Sequence, residues 1–109
     1  MAEARERLFA YGTLLEGGVQ QAVFGRLPQG EPDVLPGYEK HEGMVVGTYP
    51  GLLPARAKNG QVAGRLLLLT EGELRKADAY EGPLYRRALL ELASGNRAWV
   101  YLPTGNIAL

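Results

Sequence analysis

Glycine and proline punctuate this chain so often that no long uninterrupted element can form. Fifteen glycines and seven prolines are spread through 109 residues, and both residue types end helices, bend strands or open tight turns. The chain therefore reads as short elements joined by corners. Arg7 to Tyr11 has the pattern of a first strand, and Val19 to Phe24 that of a short helix ended by Gly25. Leu35 to Tyr38 reads as a bend, Gly43 to Thr48 as strand-like, and Tyr49 to Pro54 as a turn-rich stretch. Gln61 to Leu69 is apolar and glycine-bounded, as a well-buried strand would be.

The clearest helix signal lies between Thr70 and Gly82. Thr70 with Glu73 three residues on forms a capping-box pattern, and Gly82-Pro83 ends the element. Tyr85 to Ala93 and Arg97 to Pro103 then read as two strands around a Ser94-Gly95-Asn96 turn, a β-hairpin. The sum is an α+β fold in one domain over residues 1–109. Its expected form is a small, mostly antiparallel β-barrel with one or two peripheral helices, because closure removes exposed strand edges.

Composition narrows the chemistry. There is no cysteine, so thiol nucleophiles, disulfides and cysteine metal sites are excluded. Twelve basic residues balance twelve acidic ones, so the basic stripe of a nucleic-acid binder is not expected. The longest purely apolar run, Leu66 to Leu69, is too short to span a bilayer, and the first eight residues do not resemble a signal peptide. No nucleic acid, no membrane and a cytoplasmic location are expected. His41, the only histidine, reads as a solvated loop residue rather than a zinc ligand, and no metal site is expected. Ser94, the only serine, lies in the hairpin turn outside any nucleophile elbow. No phosphate loop or dinucleotide fingerprint is present. Carboxylates and backbone amides are the main catalytic tools left.

Glu81 is the carboxylate that stands out. It lies seven residues after Leu74 and four after Ala77, which puts it on the apolar face of the expected helix. It also falls at the helix C-terminus, where the backbone dipole disfavours negative charge. Both effects raise its pKa toward the range of a general acid/base. The competing reading is an ion pair with Arg86 or Arg87, the commoner arrangement for such a residue. Asp78, one turn earlier, reads either as raising the Glu81 pKa further or, the commoner case, as solvated or paired with Arg75. At most one of Arg86 and Arg87 can face the same side of a strand as the cavity. Gly12 in "FAYGTL" permits a positive φ or a close backbone approach, and amides at such a turn can cradle an anion. A plain strand-ending corner explains the same residues.

The stretches "FAYGTL", "YPGL", "DAYEGPLYRR" and "AWVYL" occur here in one order. In that order the chain resembles the gamma-glutamylcyclotransferase-like family, from Leu8 to Pro103. The resemblance implies a small β-barrel with peripheral helices in which the two longest motifs meet at a cavity. It implies that Glu81 is the catalytic acid/base, that Tyr11, Gly12, Thr13 and Leu14 line the substrate pocket, and that Tyr85 borders it. It implies a cofactor-free reaction on a small-molecule γ-glutamyl substrate, in which the α-amine attacks the γ-carbonyl and 5-oxoproline and a free amine leave. The alternative is a non-catalytic small-molecule-binding or regulatory domain on the same fold. Tyr38, Tyr49 and Trp99 read first as core or rim aromatics, with Tyr49 also a candidate for ligand contact. A monomer and a homodimer fit equally well.

Overall fold

The computed structural model describes residues 3–45, 47 and 49–104. Strand β1 (Glu6–Ala10) leads through a 3₁₀ turn (Thr13–Leu15) into helix α1 (Gly17–Phe24), followed by β2 (Gly30–Pro36), β3 (Tyr38–Val45), β4 (Tyr49–Pro54) and β5 (Gln61–Leu69). Helix α2 (Glu71–Glu81) and the hairpin β6 (Tyr85–Glu91) and β7 (Arg97–Pro103) complete the described chain. Among the described residues, no helix is long and apolar enough to cross a membrane.

Five strands form one sheet in the order β2-β5-β1-β7-β6, while β3 and β4 pair separately. The pairings are antiparallel except β1 with β7, which run parallel with Leu8 opposite Trp99. Central strand β1 alternates its side chains between two cores. Leu8 and Ala10 pack with Phe24, Leu74 and Ala77 beneath the helices, and Phe9 with Leu52, Leu66 and Val100 on the β4 side. The expected closure into a barrel is not found among the described residues. Edge strands β2 and β6 share no ladder. The turn after β6 reaches β2, where the Ala93 N–H donates to the Val34 carbonyl (2.8 Å) and Ser94 Oγ donates to Asp33 Oδ2 (2.6 Å).

The corner at Gly37 explains why β3 and β4 form a sheet of their own. Gly37 has φ 84°, its N–H donates to the Gly60 carbonyl (2.9 Å), and its carbonyl accepts from the Ala55 N–H (2.9 Å). The chain is thereby turned off the edge of the main sheet and returned to it. The bend read at Leu35 to Tyr38 is this corner between β2 and β3, whereas the stretch read as turn-rich, Tyr49 to Pro54, is strand β4. Pro32 is tolerated because β2 is an edge strand, and β4 pairs on one side only. His41 lies in β3 rather than in a loop, with Nε2 buried 3.7 Å from Glu39 Oε1. Of the stretch read as strand-like from Gly43, residues 46 and 48 lie outside the described residues.

Helix α2 starts where the capping box requires. The Glu73 N–H donates to Thr70 Oγ1 (3.1 Å), and the Thr70 N–H donates to Glu73 Oε1 (2.9 Å). Arg26, just past α1, donates two hydrogen bonds to the Glu73 carboxylate (2.6 and 2.7 Å), fastening the end of α1 to the start of α2.

Gly64 in β5 has no room for a side chain against β1. A Cβ there would press on the Ala10 carbonyl and stand 2.7 Å from Phe9 Cζ. Gly64→Ala is therefore expected to cost about 1–3 kcal/mol by overpacking. A lower urea midpoint at unchanged slope is the readout.

Candidate active site

The C-terminal end of β1 and the last turn of α2 meet at a cavity of about 250 Å³. Its lining includes Tyr11, Gly12, Thr13 and Leu14 from the first, Tyr80 and Glu81 from the second, and Tyr49, Pro50, Leu84, Tyr85 and Tyr101 from neighbouring strands and turns. Every site residue expected from the sequence is thus brought to one place. Among the described residues, Glu81 is the only charged side chain in this lining.

Glu81 reaches the cavity because the buried stripe of α2 runs Leu74, Ala77 and then Glu81 along one face. Gly82 follows at φ 77°, and its N–H donates to the Asp78 carbonyl (3.0 Å), so the helix stops at the acid. Burial pushes the Glu81 carboxyl up from 4.5 to about 7. Among the described residues its carboxylate has no ion-pair or hydrogen-bond partner to offset that desolvation.

The ion pair considered for Glu81 forms elsewhere. Arg87 Nε donates to Asp78 Oδ1 (2.8 Å), and its guanidinium stacks over Trp99 at 4.4 Å from the ring centroid. Tyr101 OH donates to the same Asp78 oxygen (2.8 Å). Burial alone would raise the Asp78 pKa, but the Arg87 and Tyr101 hydrogen bonds and the Arg87 charge hold it below the usual carboxylate range. Asp78 therefore stays ionised, paired with Arg87 rather than Arg75, and Arg75 reaches Glu71 (3.4 Å). Arg86 is exposed, and neither it nor Arg87 lines the cavity.

Three tyrosine hydroxyls tie the cavity walls together. Tyr11 OH donates to the Tyr101 carbonyl (2.5 Å), joining the end of β1 to β7. Tyr85 OH donates to the Pro50 carbonyl (2.7 Å), joining β6 to β4. Tyr80 OH and Thr13 Oγ1 share a hydrogen bond (2.5 Å) that joins α2 to the 3₁₀ turn. Burial, with Glu81 adding to it, pushes Tyr85 up to about 12. Tyr11 and Tyr101 are raised as well, chiefly by burial. At neutral pH these phenols are donors, not bases.

The Gly12 corner does not use a positive φ. Its φ is −119°, and a Cβ there would stand 3.4 Å from Pro50 Cγ, an ordinary van der Waals contact with β4. The Leu15 N–H donates to the Gly12 carbonyl (3.0 Å), which starts the 3₁₀ turn. The first N–H groups of such a turn have no partner inside it. Sequence reasoning missed Tyr80, Leu84 and Pro50 as lining residues. The signal for Tyr80 is its place three residues after buried Ala77, at the edge of the apolar face.

Residues 8–107 match the family described as Gamma-glutamyl cyclotransferase, AIG2-like. AIG2-like protein D of Arabidopsis thaliana is 33% identical over 82 residues, which are 73% of this chain and 51% of that protein. AIG2-like protein A of the same plant is 31% identical over 81 residues, 73% of this chain and 47% of that protein. The chain thus spans about half the length of the curated relatives it matches. An Arabidopsis thaliana protein solved in solution shares the fold with a TM-score of 0.79 and 24% identity, over 94% of this chain and 65% of that one. A solved structure called gamma-glutamyl cyclotransferase gives a TM-score of 0.72 and 16% identity, over 94% of this chain and 68% of that one. The chain belongs to the gamma-glutamyl cyclotransferase, AIG2-like family.

Proposed function

We propose that the protein is a cofactor-independent γ-glutamyl cyclotransferase, or lyase, that releases 5-oxoproline and a free amine from a small γ-glutamyl compound. The observation that carries this reading is Glu81, a single carboxyl with a pKa of about 7, in an otherwise uncharged cavity beside the Gly12–Leu14 loop. Family membership and the shared fold support it. The cavity, about 250 Å³, is just under the roughly 300–1,000 Å³ of sites that hold drug-sized ligands. It suits one glutamyl group, with the amine it carries at the mouth.

In the proposed reaction the substrate's α-amine attacks its own γ-carbonyl. A C–N bond closes the five-membered lactam, and the original amide C–N bond breaks. Glu81 takes the proton from the attacking nitrogen and returns it to the departing one, so the enzyme ends as it began. A carboxyl with a pKa near 7 suits both halves of that exchange at neutral pH. Because the reacting groups belong to one molecule, holding them in near-attack geometry supplies much of the rate. The first amides of the 3₁₀ turn offer donors for the substrate carboxylate or the developing oxyanion.

Glu81→Gln is expected to lower 5-oxoproline release from a panel of γ-glutamyl amines by about 10²–10⁴-fold, the usual share of general acid/base catalysis. Wild-type kcat/KM should rise with pH through about 7 as Glu81 ionises in the free enzyme. Binding without release of 5-oxoproline across the panel would instead identify a binding domain.

Stability gives a second readout, independent of turnover. Folding raises the Glu81 pKa from its ordinary 4.5 to about 7, so the native state holds a proton that the unfolded chain has lost between those values. The stability this contributes is fully present below about pH 4.5 and is lost as pH rises through about 7. Urea unfolding of Glu81→Gln across that window should therefore show a flatter pH dependence than wild type. Parallel profiles would sink the assignment of a raised pKa.

A further inference from the structure

The mouth of the cavity carries the chain's apolar surface. Tyr49, Tyr80 and Leu84 are 51%, 43% and 39% exposed, yet all three line the cavity, so they form its rim. They are most of the large hydrophobic side chains exposed among the described residues, the others being Leu27 and Leu89. Among the described residues, no lysine, arginine or histidine lines the cavity. The polar reach of the rim is also limited, because Tyr80 OH is held by Thr13 and Tyr85 OH by the Pro50 carbonyl.

We propose that the amine released at this site is an aryl or aralkyl amine with no charged group besides its amine, seated against Tyr49, Tyr80 and Leu84, rather than an amino acid or a polyamine. The assignment rests on the cyclotransferase reading for the reaction, but its chemistry comes from the rim. A leaving group with its own carboxylate would be desolvated against two rings and a leucine with no cation to pair it, and would face Glu81 once that residue ionises. A second ammonium group would likewise leave water for two phenol rings and a leucine, and among the described residues the only acid in the lining is Glu81, which the reaction needs for proton transfer. An aryl group meets two phenol faces and a branched alkyl group, which favour aromatic contact and need no charge. Exposed apolar groups that surround the entrance to a ligand cavity have a physical reason to be there when the ligand covers them.

The test separates binding from turnover. Affinities of γ-glutamylanilide, γ-glutamylglycine and γ-glutamylputrescine for Glu81→Gln are measured by calorimetry, beside 5-oxoproline release from each by wild type. The anilide should bind at least about 5-fold tighter than either of the others, the scale of one or two aromatic contacts. In the same background Tyr49→Ala should lose about 5-fold in anilide affinity and leave the glycine compound unchanged. Tyr49→Arg should tighten γ-glutamylglycine and reverse the order. Leu84→Ser, a second rim change, should weaken the anilide selectively as well. Equal affinities, or tighter binding of the glycine or putrescine compound, would overturn the rim assignment while leaving cyclotransfer intact if 5-oxoproline appears. The affinity order without any 5-oxoproline would sink cyclotransfer and uphold the rim assignment. Binding of none of the three would overturn both.

Discussion

The burial of β1 on both faces fixes nearly everything else. Leu8 and Phe9 are fully buried on opposite sides of one strand, and the backbone is paired to β5 on one edge and β7 on the other. A shift of one residue would send each side chain into the wrong core, so the register of this strand is held firmly. The loop that follows inherits that precision. Tyr11 belongs to the core and lines the cavity, and its hydroxyl bond to the Tyr101 carbonyl anchors the strand end just before the Gly12 corner.

Two carboxylates one helical turn apart then acquire opposite characters. Asp78 is held ionised by Arg87 and Tyr101, whereas Glu81 is raised by burial with nothing opposing it. The separation depends on where Arg87 points. Strand pairing sets Arg87 opposite Tyr101, and the guanidinium rests between the Trp99 ring and Asp78. Had the same arginine reached Glu81, its charge would have stabilised the carboxylate and pulled the pKa down. Environments that push neighbouring acids apart in this way are the means by which one of them becomes available for proton transfer.

The parts legible from sequence were those governed by local periodicity. β5 occupies Gln61–Leu69 as read, and α2 begins at its capping box and ends at Gly82. Glu81 stood out because spacing from Leu74 and Ala77 alone decides which face of a helix it occupies. What depended on partners was hidden. β2 contains Pro32, and only its place at a sheet edge makes that proline acceptable. β3 is too rich in charge for alternation to show, and β4 looks like a turn because Pro50 and Pro54 lie within it. The Asp78–Arg87 pair was invisible for a related reason. The helix, the hairpin register and the Trp99 ring must all be in place before the choice between Asp78 and Glu81 is made.

A half-buried carboxyl with no partner among the described residues is tolerable here because it does not have to be charged. Below a pH of about 7 Glu81 is protonated, and a neutral acid at a cavity wall avoids most of the penalty for burying an ion. Its negative form is disfavoured further by the carbonyl-rich end of the helix that carries it. The cavity must then keep its shape without drawing on that carboxyl, and the tyrosines make this possible. Their hydroxyls join β1 to β7, β6 to β4 and α2 to the 3₁₀ turn through uncharged hydrogen bonds that stay intact over the range in which Glu81 titrates. Structural support and proton chemistry are thereby assigned to different groups. The acid can gain and lose a proton without taking a wall of the site with it.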